Sequence, residues 1–298
     1  MEFLRLLEGI RSPALNTVFQ FFTFFGQEML VLAIICILYW CLDKKLAYKI
    51  ALSFFAAGML LQNLKITFRI PRPWVLDPDF QAVPSAVPAA TGYSFPSGHT
   101  QSATSLFMTL ALSLKQKSLK IICVVIFLLV GFSRMYLGVH TPKDVLTAMA
   151  MAIIISLLIN KLFGKLENTP KSNLILSIIL AGFSVLSMIY ALVLLNNGTI
   201  NEIYAADCCK AAGSGLGFAI GWYLERTYIN FETNTAVSKQ AAKFILGITS
   251  SLLLKGVLKA LLGGSIPAEM LQYFILVLWV IAAYPFIFQR VRFLGGEK

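Results

Sequence analysis

This sequence has little charge. Acidic and basic residues together make up 13% of its 298 residues, against roughly a quarter in a soluble domain. With 58% hydrophobic residues, the chain is too apolar for intrinsic disorder, which needs low hydrophobicity, and too poor in charge for a water-soluble enzyme. Histidine is scarcer still, with two in the whole chain, His99 and His140. The five cysteines (Cys36, Cys41, Cys123, Cys208, Cys209) fall in or beside apolar segments, and none has zinc-site spacing. They read as small apolar side chains of a membrane core. No cleavable signal peptide is expected, because Glu2 and Glu8 spoil the basic n-region and no small-residue cleavage site follows.

What is present is long apolar runs. A helix needs about 20 apolar residues to cross the hydrocarbon, and suitable runs lie near 27–42, 45–68, 98–115, 119–138, 141–162, 172–195, 203–225, 240–262 and 269–289. The shorter run 13–25, set off by Gly26, is either a short first span or a helix at the interface. The expectation is an all-α polytopic membrane helix bundle of nine or ten spans.

Lys+Arg number 25 against Asp+Glu 14, a net charge of +11. This excess does not point to nucleic acid, because the cations sit mostly in short links between apolar runs, where they orient a membrane protein. The links at 43–49, 115–120, 161–171 and 225–243 and the tail after Gln289 are basic, whereas 196–202 and 263–268 hold no Lys or Arg. The first set is expected in the cytoplasm and the second outside. Two links break this pattern: 65–97 and 138–144 belong outside, yet Lys65, Arg69, Arg72, Arg134 and Lys143 lie on or beside them. Both histidines are there too. Ionisable groups at membrane depth are costly and usually functional.

Three stretches carry the chemistry. In Lys65-Ile-Thr-Phe-Arg-Ile-Pro-Arg72-Pro73, two cations seven residues apart can converge on an anion at a helix end. In Phe95-Pro96-Ser97-Gly98-His99-Thr100, Ser97 or Thr100 can cap a new helix, Gly98 allows close approach, and the helix N-terminus favours phosphate. In Ser133-Arg134-Met-Tyr-Leu-Gly-Val-His140-Thr-Pro-Lys-Asp144, Pro142 is placed to open a helix, setting Asp144 one turn past His140. There Asp144 can accept the imidazole Nδ1–H and leave Nε2 free as a nucleophile. His99 is left to protonate a leaving oxygen. No open metal site is offered, and arginine and lysine can supply the charge stabilisation that phosphoryl transfer needs. The residues alone point to metal-independent phosphoryl transfer at the outer face, with no cofactor.

K-x6-RP (Lys65 to Pro73), PSGH (Pro96 to His99) and SR-x5-H-x3-D (Ser133 to Asp144) together resemble the three motifs of the type 2 phosphatidic acid phosphatase (PAP2) superfamily. The resemblance covers roughly residues 10–165 and implies a six-helix core as residues 1–165, with residues 166–298 adding about four accessory spans. It implies that His140 becomes a phosphohistidine, later hydrolysed by water, that Asp144 supports it and that His99 is the general acid. Lys65, Arg72, Ser97, Gly98 and Arg134 would hold the phosphate oxygens. Matching the core makes 13–25 its first span and favours ten spans with the N-terminus inside. Arg69 and Lys143 fall between motif positions and suit headgroups or steering of an anionic substrate.

The expected activity is a lipid phosphate or diphosphate phosphatase at the outer leaflet, in a bacterial plasma membrane. Substrates of this class are phosphatidic acid, phosphatidylglycerophosphate, and isoprenoid or sphingoid phosphates. The alternatives are a phosphotransferase using the same histidine and a lipid transporter or flippase with a headgroup site. Loop 74–94, with Asp77, Asp79 and no basic residue, leans toward a monophosphate. Beyond the core, Gly213-x3-Gly217-x3-Gly221 reads as a close-packing face. Lys255 is expected to need an anionic partner, with Asp207 the candidate.

Overall fold

The computed structural model describes residues 1–165, 168–233 and 235–291, and all regular structure in them is helical. The helices are α1 (Glu2–Gly9), α2 (Pro13–Phe24), α3 (Glu28–Ile37), α4 (Lys44–Phe68), α5 (Pro73–Leu76), α6 (Gly98–Ser113) and α7 (Lys117–Tyr136). They continue with α8 (Pro142–Phe163), α9 (Pro170–Asn196), α10 (Glu202–Leu224), α11 (Val237–Leu262), α12 (Ile266–Leu278) and α13 (Tyr284–Arg290). The chain divides into two compact units, one of residues 1–32 and 49–162 and one of residues 33–48 and 163–298.

In the first unit, local chemistry sets the helix ends. Ser12 caps α2, its Oγ accepting from the Leu15 N–H at 3.3 Å, with Pro13 at the first helical position. α4 ends where Arg69 takes the left-handed conformation (φ 49°), two residues before Pro71. α8 opens at Pro142 with a reciprocal cap: the Asp144 N–H donates to Thr141 Oγ1 at 3.4 Å, and the Thr141 N–H donates to Asp144 Oδ2 at 2.8 Å. α2 and α3 meet at a 42° bend at Gly26. A Cβ there would stand 2.6 Å from the His99 carbonyl oxygen, so glycine is required for that approach.

α6 runs through the inside of this unit, with ten of its 16 residues buried. Several of its polar side chains find partners there: Gln101 Nε2 donates to the Phe54 carbonyl at 3.3 Å and to Ser105 Oγ at 3.1 Å, and Thr109 Oγ1 to Ser53 Oγ at 3.3 Å. At the end that carries Lys65, Ser97 and Tyr136, a buried cluster joins Leu7, Val83, Ala86, Ala90, Tyr136, Leu137 and Val139. α1 therefore packs at the same end as loop 74–94. The N-terminal helix thus lies at the end of this unit that carries the three motifs, whereas a tenth span would place it at the opposite end.

In the second unit, the glycine stripe of α10 packs on α12 as its spacing suggests. Cβ atoms on Gly213 and Gly217 would stand 2.3 and 2.5 Å from the carbonyl oxygens of Met270 and Phe274. Glu225, fully buried, accepts from Lys44 Nζ at 2.8 Å and from the Tyr48 hydroxyl. Asp207 does not pair with Lys255. Lys210 lies one helical turn away and takes both Asp207 (3.3 Å) and Glu269 (3.1 Å), while Lys255 sits over the Tyr273 ring at 5.6 Å.

Six described helical stretches are long and apolar enough to cross a membrane, and the bent α2–α3 pair makes seven. Runs 13–25 and 27–42 form that one pair, and α6 and α10 fall outside this set. α6 is only 16 residues long and rich in Ser and Thr, and α10 carries Glu202, Asp207 and Lys210. Most residues of both helices are buried, and polar residues at membrane depth belong on faces turned toward protein.

Candidate active site

The three motifs converge at one end of the first unit. Motif one places Lys65 in the last turn of α4 and Arg72 just before α5. Motif two places Ser97, Gly98 and His99 at the start of α6. Motif three places Arg134 in the last turn of α7, His140 in the turn that follows, and Asp144 in the first turn of α8. His99 lies within electrostatic reach of Arg134, His140, Arg72 and Lys65.

His140 is buried, with Nδ1 3.4 Å from Asp144 Oδ2 and Nε2 3.0 Å from Arg72 Nη1. Arginine can only donate. Nε2 is therefore the acceptor and Nδ1 carries the proton, which faces the carboxylate. Asp144 Oδ2 also accepts from Ser94 Oγ at 2.6 Å and from the Thr141 N–H, so the carboxylate is held from three directions. Burial, and then Arg72, Arg134 and Lys65, push the His140 imidazole well below its ordinary value. It is neutral at neutral pH, and its Nε2 lone pair accepts from Arg72.

The cations are fixed differently from one another. Arg72 is buried and gripped by backbone: Nε donates to Gly92 O (3.0 Å), Nη1 to Val139 O (3.0 Å) and Nη2 to Thr91 O (2.5 Å). Lys65 Nζ donates to Tyr93 O at 2.9 Å. Arg134 is 1% exposed; Nη1 donates to Thr23 Oγ1 at 2.7 Å, while Nε and Nη2 have no partner among the described residues. His99 Nε2 has none either. A buried guanidinium with open N–H groups and no carboxylate is a site shaped for an anion.

The start of α6 adds to this. Neither Ser97 nor Thr100 caps it; Thr100 Oγ1 donates instead to Ser97 Oγ at 2.9 Å, and no side chain caps the helix. Its first-turn N–H groups remain free of side-chain acceptors, which suits a phosphate. A Cβ on Gly98 would meet nothing within 4 Å, so there is room in front of it. Among the described residues, no three His, Cys, Asp or Glu side chains gather in a group that could hold a metal ion. Arg69 and Lys143 are exposed; Arg69 Nη1 donates to Ile66 O at 3.0 Å and Lys143 lies over the Phe95 ring at 5.3 Å.

Four residues at the site were not singled out from sequence. Ser94 holds Asp144, Thr23 holds Arg134, Gly26 seats against His99, and Arg11 donates through Nε to Tyr136 O at 3.0 Å. Thr23 left a trace as a hydroxyl inside Phe-Gln-Phe-Phe-Thr-Phe-Phe, and Gly26 as the break after run 13–25.

Family models match two parts of the chain, the first of which contains all three motifs. The model described as "PAP2 superfamily" matches residues 46–167, and "PAP2 superfamily phosphatase, transmembrane extension" matches residues 209–296. The chain belongs to the PAP2 superfamily. It is an integral membrane phosphatase of that family, carrying the transmembrane extension. Undecaprenyl-diphosphatase BcrC of Bacillus subtilis is 36% identical over 103 residues, 34% of this chain and half the length of that relative. Phosphatidylglycerophosphatase B of Bacillus subtilis is 29% identical over 172 residues, 53% of this chain and 80% of the relative. Sphingosine-1-phosphate phosphatase 2 of Mus musculus is 22% identical over 255 residues, 83% of this chain and 69% of the relative, a match long enough to reach into the extension.

Proposed function

We propose that this PAP2 protein hydrolyses a lipid phosphate or diphosphate at the outer leaflet of a bacterial plasma membrane, through a phosphohistidine on His140 and without a metal ion. The observation that carries the reading is the geometry at His140: Nδ1 toward Asp144 Oδ2 at 3.4 Å and Nε2 toward Arg72 at 3.0 Å. This leaves the lone pair on the nitrogen that faces the cations. The unpartnered N–H groups of Arg134 and the open start of α6 would take the phosphate oxygens, with Lys65, Arg72, Ser97 and Gly98 around them.

In the first step Nε2 attacks phosphorus, the P–O bond to the lipid breaks, and His99 gives its proton to the leaving oxygen. The bound phosphate's negative charge favours the protonated His99 that this step needs. In the second step water attacks phosphorus, its proton passes to His99, and the P–N bond breaks to release orthophosphate. Arg72 and Arg134 meet the charge that develops on the transferring group.

Residues 1–165 form the catalytic core in this reading and residues 166–298 are accessory helices. α6 and α10 cross the membrane enclosed by protein, which with the seven apolar stretches gives nine spans. The relatives act, by their names, on undecaprenyl diphosphate, phosphatidylglycerophosphate and sphingosine 1-phosphate. Loop 74–94, without a basic residue, favours one phosphate over two. The test is phosphate release by purified protein in EDTA from phosphatidic acid, phosphatidylglycerophosphate, sphingosine 1-phosphate and undecaprenyl diphosphate. Release that survives EDTA and is lost in His140→Ala is expected. No release from any of the four by folded protein contradicts the proposal.

A further inference from the structure

The spacing between Arg134 and His140 depends on a short turn, and that turn is held from outside. Within it, the Leu137 N–H donates to Ser133 O, the Gly138 N–H to Met135 O and the Val139 N–H to Arg134 O. Gly138 adopts φ +77°. The carbonyls of the turn point outward and are taken by other segments: Val139 O by Arg72, Leu137 O by the Val83 N–H at 2.9 Å, and Tyr136 O by Arg11 Nε at 3.0 Å.

Arg11 belongs to the N-terminal segment, before the region matched by the PAP2 model. Its side chain is nonetheless largely enclosed, at 11% exposed. Nη1 donates to Gln81 O, and the guanidinium lies 5.1 Å from the Phe80 ring centroid. A Cβ on Gly138 would stand 2.6 Å from Nη2, so the guanidinium rests directly on the turn. One planar group thus ties the end of α7 to the loop over the site. The rest of the segment reinforces the tie. Arg5 reaches both Asp77 carboxylate oxygens at 2.7 Å and Asp79 O at 3.0 Å, and Glu8 Oε1 accepts from the Gln81 N–H at 3.0 Å. The far end of the same loop supplies the Thr91 and Gly92 carbonyls that grip Arg72, and then Ser94.

We propose that Arg11 is a positioning residue for phosphoryl transfer, clamping Tyr136 and Gln81 so that the Gly138 turn holds Arg134 and His140 at their working distance. The proposal rests on the phosphatase reading above. It requires the fork of the guanidinium, because two carbonyls and a ring face are engaged at once. A lysine keeps the charge but donates as a point and cannot serve both. A displacement of about 1 Å in such a site can cost on the order of 10²-fold in rate.

The test compares wild type with Arg11→Ala, Arg11→Gln, Arg11→Lys and Arg5→Ala. It reads kcat and KM on the preferred lipid, and the affinity for orthovanadate as a phosphate analogue from its thermal-shift titration. The vanadate arm needs no turnover, so it reports on the clamp even if the lipid substrates tried are wrong. The expected result is at least a tenfold fall in kcat for Arg11→Ala and Arg11→Gln, with KM changed less, and at least a tenfold loss of vanadate affinity. Arg11→Lys is expected not to restore either, and Arg5→Ala to have a smaller effect in the same direction. If Arg11→Ala does not fold, Arg11→Gln and Arg11→Lys, which keep the stem over Phe80, decide the matter. Folded variants with kcat and vanadate affinity within twofold of wild type overturn the proposal, as does full rescue by lysine.

Discussion

At the scale of single residues, one proton decides the chemistry. It sits on Nδ1 of His140 because Arg72 occupies Nε2 as a donor, and the carboxylate of Asp144 faces it. Asp144→Asn keeps the shape but presents an amide, and removes the charge that stabilises the imidazolium-like transition state. We expect a loss of about 10²–10⁴-fold in kcat, read by initial rates, with the protein still folded by thermal denaturation. Ser94→Ala removes a 2.6 Å bond to the same carboxylate. A buried acceptor that loses its donor costs about 1–3 kcal/mol, and a fall in Tm together with a slower first step is the expected pair of effects.

The pH behaviour follows from the depressed His140 value. An ordinary histidine gains its proton and loses its lone pair as pH falls through about 6.5. Burial and three cations disfavour that proton here, so the nucleophile stays active below 6.5. A pH profile of phosphoenzyme formation with a loss centred at that ordinary value would contradict this. Stability runs the other way: below about 6.5 the unfolded chain binds a proton that the folded one refuses, and folded protein loses stability as pH falls.

At the scale of elements, the site depends on close approaches that glycine allows. Gly26→Ala places a methyl group 2.6 Å from the His99 carbonyl oxygen. We expect about 1–3 kcal/mol of destabilisation and a slower release step in the same assay, because the clash falls on the backbone of His99, the proposed general acid. A Gly26→Ala protein with wild-type rates would sink that account. The helices holding the three motifs were legible in sequence: Pro142 opened α8, and the chain placed Lys65, His99 and His140 at one end. Thr141 and Asp144 form a capping box, which ties the helix start to the carboxylate that orients His140. What was not legible came from contacts distant in sequence. Ser94 meets Asp144 fifty positions on and Thr23 meets Arg134 across 111. Neither hydroxyl has a periodicity that announces such a partner. Fewer described helices are long and apolar enough to span than the nine or ten expected, because α6 is short, α10 is polar and most residues of both are buried.

At the scale of the whole molecule, orientation is the open consequence of the fold. Leu7 of α1 packs with Val83 and Tyr136, which puts the N-terminus and the site loop on one side of the membrane. All five native cysteines are buried, so single introduced cysteines can be mapped by a membrane-impermeant maleimide in intact cells. Glu2→Cys and Ser85→Cys are expected to label from outside and Lys117→Cys only after lysis. Opposite labelling of positions 2 and 85 would restore the tenth span and contradict the packing of α1.

The central claim is that phosphate passes through His140, and trapping it tests this most directly. Purified protein in EDTA, mixed with lipid substrate and quenched in alkali within the first turnover, is digested and sequenced by mass spectrometry. The account predicts a phosphoryl group on the peptide bearing His140, stable to base, lost in acid, and absent from Asp144→Asn at the same time point. Phosphate release with no label on His140 at any time, or a label on His99 instead, would contradict it.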